Sequence, residues 1–386
     1  MVEGDEEKRK TWAKIIQRRT EIGYPYILFS DTVNNNTVDV YKDKKMKIHG
    51  SNLCSEICLP TSDEISFVCC LSSINIRHYK EWKDTDAVET LVMFLDTVIT
   101  DFLENLEDLK NSEDQEKQTA FYFMQRAYKF AKEHRALGLG VLGWHTYLQE
   151  NNIAVESDEA NILNKEIFKL ISEKSYKASA DLAKDYGEPE ILKGYGRRNT
   201  TLMAIAPTTS SAFILGQVSQ GIEPYMSNAF VKDVDKMKVT IKNPALVELL
   251  EAKGQNTGEV WGSIRDNDGS VQHLTFLTPH EKMVFRTFSE IDQRVIINQA
   301  ADRQKYIDQA QSLNLMVDPT MPIKDLNALY LYAWEKGVKT WYYQHSMNAA
   351  QVCGRKKLME LSNKNNTPAK AQVSDQNANV CVSCEG

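Results

Sequence analysis

The 386-residue chain has no long hydrophobic run, no basic excess, no evident internal repeat and few cysteines, and each shortage narrows what it can be. Its first residues, MVEGDEEKRK, lead into no apolar segment, so no secretory signal is visible. The most apolar stretch, Ala87 to Leu106, is interrupted by Asp96 and Asp101 and reads as an amphipathic core helix rather than a membrane span. A soluble, cytoplasmic protein is expected. The formal net charge of -7 argues against a coat for duplex nucleic acid, while leaving room for a phosphorylated metabolite held by local amides. Seven cysteines, at 54, 58, 69, 70, 353, 381 and 384, are too sparse and uneven for a secreted disulfide framework. Each has to be asked separately whether it is core, ligand or redox-active.

What is present is 42% hydrophobic residues, enough for a sizeable core, in segments that alternate between helical and strand character. That alternation predicts an α/β fold. Thr11 to Ile22 reads as a helix stopped by Gly23, Tyr24 to Phe29 as a strand, and Asn34-Asn35-Asn36 as a loop. Ile65 to Ile76 suits a buried strand, and Asp86 to Leu106 a helix, followed by a polar connector and a second helix towards Arg135. The clearest helix is Ser157 to Tyr186, with Ser157 as N-cap, Gly187 as terminator and Pro189 just beyond. Further on, Thr200 to Ala206, Val231 to Lys242, Gln272 to Leu277 and Val338 to Tyr343 read as strands, and Glu281 to Ser312 and Asp325 to Lys336 as helical. From about Ser362 the composition is that of a flexible tail.

The rest is organised around Asn52-Leu53-Cys54-Ser55-Glu56. In an extended backbone, side chains alternate faces, so Asn52, Cys54 and Glu56 are expected on one side. An amide, a thiol and a carboxylate on one face form a small reaction centre; the alternative is a strand of mixed polarity with a core thiol. Gly138-Leu139-Gly140-Val141-Leu142-Gly143 satisfies G-x-G-x-x-G, but it follows a charged helical stretch, and close backbone packing is the better account. Pro207-Thr208-Thr209-Ser210-Ser211 sets four hydroxyls after an apolar strand, suited to phosphate oxygens or to an ordinary capped turn. Cys381 and Cys384 form a terminal C-x-x-C, a mobile dithiol or half of a zinc site.

The order of these motifs carries more than any one of them. Asn52-Leu53-Cys54-Ser55-Glu56, Cys69 in FVCCLSSIN, APTTSS running to Gly221-Ile222-Glu223-Pro224, Arg303 to Gln309, GVKTWYYQ and the terminal C-x-x-C together resemble the large (α) subunit of class I, aerobic ribonucleotide reductase. The resemblance runs from near Trp12 to the C-terminus but covers only the second half of that subunit. It implies the second half of a ten-stranded α/β barrel with a central finger loop, of the ribonucleotide reductase and glycyl-radical-enzyme type. By this likeness residues 1–10 are a charged leader, 11–360 the C-terminal half of the catalytic barrel and 361–386 a flexible tail carrying the dithiol.

The resemblance also implies roles. Cys54 looks like the thiyl-radical cysteine that abstracts the substrate 3′-hydrogen, Glu56 the base for the 3′-hydroxyl proton, and Asn52 the amide that binds the ribose hydroxyls. Cys69 resembles one of two reducing cysteines, whose partner lies before the start of this chain. Cys70 should face away into the core, and Cys58 and Cys353 are expected to be structural. Thr208, Thr209, Ser210 and Ser211 resemble the substrate diphosphate loop, and Tyr342 and Tyr343 the pair that relays a radical to Cys54. A stacked pair of adjacent residues demands a local break in the strand. Cys381 and Cys384 resemble the tail dithiol reduced by thioredoxin or glutaredoxin.

The expected activity is therefore thiyl-radical reduction of ribonucleoside diphosphates to deoxyribonucleoside diphosphates, as the active-site half of a split large subunit. The implied partners are a separate chain with the N-terminal half, a small (β) subunit whose metal centre generates the radical, and a thioredoxin or glutaredoxin. No directly bound cofactor or metal is expected, and nucleotide effectors are expected on the missing half. The alternatives are a non-catalytic half-subunit that binds a partner or nucleotide, and a cobalamin-dependent reductase, from which the tyrosine pair points away.

Overall fold

The structure is a computed structural model that describes residues 4–234, 237–318 and 321–346. Cys353, Cys381, Cys384 and the tail expected from residue 361 lie outside the described residues.

Helix α1 (Glu6–Ile22) is capped by Asp5, whose side chain accepts from Lys8 N, and closed by Gly23 in the left-handed conformation, the terminator expected from the sequence. Strand β1 is only Ile27–Leu28, shorter than expected, and helices α2 (Ser30–Asn35) and α3 (Asp39–Asp43) follow. The asparagine run is thus helical rather than a loop. Asn36 Nδ2 donates to Thr32 O at the helix end, and the Asn34 amide holds both Ile48 N and Ile48 O, so these side chains take up backbone groups that a loop would give to water.

Strand β2 (Cys70–Asn75), the short helix α4 (Tyr79–Trp82), the long antiparallel helices α5 (Ala87–Asn111) and α6 (Gln115–His134), and strand β3 (Leu137–Leu142) form the first crossover unit. β2 runs parallel to β3 with Cys70 opposite Leu137, and β3 is buried throughout. The glycine run therefore lies within a strand, where close packing needs it: a Cβ on Gly140 would stand 2.7 Å from Ala204 O. Helices α7 (Trp144–Glu150) and α8 (Asp158–Tyr186) lead to an extended segment at 201–206, and Ser157 caps α8 by accepting from Ala160 N.

Helix α9 (Thr209–Ile214) precedes a hairpin of β4 (Ala229–Val234) and β5 (Met237–Lys242). Helices α10 (Pro244–Ala252), α11 (Gly258–Asp266) and α12 (Pro279–Val284) complete this excursion around a core of its own, built on Leu246, Leu250, Trp261, Ile264 and Phe285. The strand expected at Gln272–Leu277 is absent; Val271, Leu274 and Leu277 enter this core at a spacing of three, through successive turns. Nor is 281–312 one continuous helical run. Capping boxes at Thr278 and Thr287 restart the chain, helix α13 occupies Gln293–Gln304, and residues 309–313 are extended. Strand β6 (Leu315–Val317), helix α14 (Ile323–Glu335), β7 (Thr340–Trp341) and β8 (Gln344–Ser346) finish the described chain.

The extended segments stand in one row. β3 bridges in parallel to Met203, Ile205 bridges in parallel to Gln311, and β6 pairs in parallel with β8. Five parallel segments therefore stand in the order β2, β3, 201–206, 309–317 and 340–346, with β1 antiparallel on β7 at the far edge. Helices α5, α8, α13 and α14 cover one face through a continuous core that includes Val92, Ile99, Ile167, Ile171, Ile297 and Tyr330. The other face receives residues 52–58. On its outer side β2 pairs with no strand among the described residues.

Candidate active site

Residues 52–58 do not form the extended strand expected from their alternation. Ser55 has φ of 69°, its N–H donates to Asn52 O, and Asn52 N and Oδ1 engage Ile57 O and N. The Asn52 side chain thus closes a small loop on itself, and Ser55 takes the left-handed conformation that the closure requires. Cys54 and Glu56 nonetheless end up on a common neighbour. Ser312 Oγ lies 2.6 Å from Cys54 O and 3.0 Å from Glu56 Oε2. Ala310 N donates to Glu56 O, and Cys58 N donates to Gln309 Oε1, so the loop is stitched residue by residue to 309–312. Cys54, Ser55 and Glu56 are buried, while Leu53 is half exposed on the opposite side.

Burial holds the Glu56 carboxyl above its ordinary range, and hydrogen bonds from its own backbone, Asn52 and Ser312 moderate the rise. Such a carboxylate accepts a proton more readily than an exposed one. Cys69, just before β2, has its sulfur 3.4 Å from Gln309 Nε2, and burial pushes its thiol up to about 12. Gln309 therefore joins the Cys54 loop to Cys69 from one side chain. Cys70 turns the other way: it packs against the helix-covered core, whereas Cys69 packs with Val40, Tyr41 and Ile57. Cys58 is buried beside Val33, Ile48 and Ala310.

The strand is broken at Tyr342 and Tyr343, as two adjacent rings on one side demand, although the rings meet tilted by 56° rather than stacked. β7 ends at Trp341 and β8 starts at Gln344. Between them Tyr342 N donates to Leu313 O, but Tyr343 N donates to the Asn314 side chain at 3.0 Å. An amide side chain replaces a ladder carbonyl, so two successive rings fall on one side, with centroids 4.4 Å apart. The Tyr342 hydroxyl lies 3.6 Å from Cys54 Sγ. A third ring, Tyr26, sits 4.7 Å from Tyr342 and 5.0 Å from Tyr343.

Thr208 has φ of 55° and Thr209 opens α9. Thr208 Oγ1 accepts from Gly221 N, which fastens this turn to Gly221-Ile222-Glu223, while Thr209 and Ser210 are exposed. Glu223 Oε2 accepts from Asn314 Nδ2 at 2.6 Å, and burial pushes its carboxyl up to about 7. The hydroxyl turn, Glu223 and Asn314 thus meet at the carboxyl ends of neighbouring parallel segments, where open α/β sheets bind ligands. Among the described residues no group of three or more His, Cys, Asp or Glu gathers as a metal site, and no helix is long and apolar enough to cross a membrane.

The structure brings Cys54, Glu56, Cys69 and Tyr342 around 309–314, while Tyr343 follows outward. The sequence reading missed Tyr26, Gln309, Ser312, Asn314 and Glu223 as site residues. Gln309 and Glu223 stood inside quoted motifs; Tyr26 carried only a strand signal, and its partners lie more than 300 residues away.

Known proteins resemble this chain over most of its length. Residues 4–191 and 188–344 match the family described as ribonucleotide reductase, barrel domain. The chain is 39% identical over 378 residues to a putative ribonucleoside-diphosphate reductase large subunit of Frog virus 3, covering 98% of this chain and 62% of that protein. It is 35% identical over 379 residues to the ribonucleoside-diphosphate reductase large subunit of Invertebrate iridescent virus 3, covering 97% of this chain and 56% of that protein. A solved structure, the Actinobacillus ureae class Id ribonucleotide reductase alpha subunit, superposes with a TM-score of 0.82 at 56% identity, over 91% of this chain and 63% of the other. The chain thus spans about three fifths of the length of these relatives. With its parallel α/β half-barrel and its central loop, it belongs to the ribonucleotide reductase barrel-domain family.

Proposed function

We propose that this chain contributes the radical half of a reaction chamber that reduces ribonucleoside diphosphates to deoxyribonucleoside diphosphates. The observation that carries this reading is the 3.6 Å approach of the Tyr342 hydroxyl to Cys54 Sγ, beside a buried carboxylate. A phenoxyl radical at Tyr342 takes the hydrogen atom of the Cys54 thiol, leaving a thiyl radical that abstracts the 3′-hydrogen of the ribose. Glu56, held above its ordinary range by burial, takes the 3′-hydroxyl proton, and Asn52 orients the hydroxyls. Cys69 supplies one reducing thiol. Thr208, Thr209, Ser210 and Ser211 hold the diphosphate through amides and hydroxyls.

The names of the relatives support the substrate class. The remaining barrel strands and the second reducing thiol belong, in this reading, to the part of the large subunit that this chain does not span; the radical comes from a metal-bearing small subunit, and electrons come from thioredoxin or glutaredoxin through Cys381 and Cys384. The test mixes this chain with the first barrel half of a related large subunit and a radical-loaded small subunit, and measures CDP reduction. Activity that requires all three components, and that Cys54→Ser abolishes, is expected. Turnover by Cys54→Ser would sink the mechanism, and turnover without the added half would show that the remaining barrel strands are not needed for it.

A further inference from the structure

The tyrosine pair has a third phenol built against it. Tyr26 enters from β1, the antiparallel edge strand, and the register of Ile27 opposite Trp341 sets it beside the break between β7 and β8. Its ring touches both partners, at 4.7 Å from Tyr342 and 5.0 Å from Tyr343, which sets its hydroxyl in the same cluster as theirs, and both of them influence its ionisation. An aromatic residue that merely filled space would have no need of that hydroxyl.

The backbone on each side is fastened to keep the three together. Arg19, fully buried, donates through its guanidinium to Pro25 O and, at 3.1 Å, to Tyr342 O, so one planar fork holds the residue before Tyr26 and Tyr342 itself. On the other side Gln344 N donates to Gly23 O, and a Cβ on Gly23 would stand 3.5 Å from Tyr343 Cδ1. Asn314 fixes Tyr343 N from the sheet. Three separate anchors therefore converge on one cluster of phenols.

We propose that Tyr26 is a positioning residue of the tyrosine pair: its hydroxyl bridges those of Tyr342 and Tyr343 and sets the hydrogen bonds along which the pair exchanges a hydrogen atom. In that exchange an O–H bond breaks at Tyr342 and forms at an oxidised Tyr343, or the reverse, and Tyr26 ends with the proton and electrons it began with. The functional meaning rests on the proposed radical role of the pair, but the bridge itself does not. A phenolate formed at 342 or 343 is stabilised by the Tyr26 hydroxyl turning to donate to it, as any donor stabilises an adjacent anion.

The test uses the 386-residue chain with a fluorinated tyrosine, which ionises within the pH range the fold tolerates, placed at 342, at 343 or at the exposed Tyr122. Fluorine NMR then follows the ionisation of each probe. Tyr26→Phe keeps the ring and removes the donor, so the probes at 342 and 343 should each ionise about one pH unit higher, while the probe at 122 stays in place. Tyr24→Phe, a change at an exposed neighbour, should move none of them. Replacing Tyr26 by 4-aminophenylalanine, which restores a donor, should bring both values back by at least half. A shift at only one of the pair or at neither, an equal shift at 122, a shift caused by Tyr24→Phe, or no recovery with the amino ring overturns the proposal. Because nothing here depends on turnover, a shift in a chain that never supports CDP reduction would count against the proposed function and leave the bridge standing.

Discussion

At the scale of the residue, Glu223 has a measurable signature of its environment. Its carboxyl titrates near 7 against 4.5 unperturbed, because burial outweighs the hydrogen bond from Asn314. Between those values the folded chain keeps a proton that the unfolded chain has released. Unfolding free energy from this group therefore falls as pH rises from about 4.5 to 7, by at most on the order of 3 kcal/mol. Glu223→Gln keeps an oxygen for Asn314 and loses the titration. In urea denaturation at pH 5 and pH 8 the parent should lose more stability than the variant; parallel losses would show that the carboxyl is already ionised at pH 5. Residues of this kind are where sequence reasoning ran short. Cys54, Glu56 and Cys69 could be picked out because a thiol or carboxylate in a known order is itself chemistry. Ser312 and Asn314 could not, since a hydroxyl or amide acquires meaning only from partners such as Cys54 and Glu223, 258 and 91 residues away.

At the scale of the element, β3 makes the sharpest demand. A Cβ on Gly140 meets a backbone oxygen, Ala204 O, at 2.7 Å, whereas one on Gly138 meets the movable end of Leu71 at 2.4 Å. Gly140→Ala should cost more than Gly138→Ala, roughly 1–3 kcal/mol against a smaller loss, because a side chain can turn aside and a paired strand cannot. Urea midpoints of the two variants check the order, and equal costs would mean that β3 and the 201–206 segment separate easily. Helices with local punctuation are legible in the amino-acid sequence itself: Gly23 ends α1 and Ser157 caps α8, each where its residue type predicts. The central loop reads as a strand because its alternation is genuine, yet the Asn52 side chain closes it and Ser55 turns left-handed. Alternation tells which side chains share a face; it does not exclude a loop that achieves the same grouping.

At the scale of the whole molecule, the row of five parallel segments leaves the outer edge of β2 without a strand among the described residues. Beside it Phe94, Tyr122 and Phe123 stand exposed on α5 and α6. Unpaired edges and apolar faces associate, so this chain alone should form concentration-dependent oligomers in light scattering, and these should disperse when the complementary barrel half is added. A monodisperse monomer at high concentration would overturn this expectation. The half-barrel was legible as a resemblance, while the separate core around Trp261 was not, because its short helices and hairpin give no longer-range pattern. Pairing of β1 with β7, and Arg19 reaching Tyr342 O across 323 positions, also govern what a growing chain can do. Cys54 leaves the ribosome 288 residues ahead of Tyr342, and the place of the phenol pair depends on contacts between residues 19–28 and the last described strands. A nascent or prematurely ended polypeptide thus carries the sulfur without the pair of phenols beside it. The order of synthesis therefore sets an order of assembly: the Cys54 thiol is made first, and the phenol that lies against it is made long after.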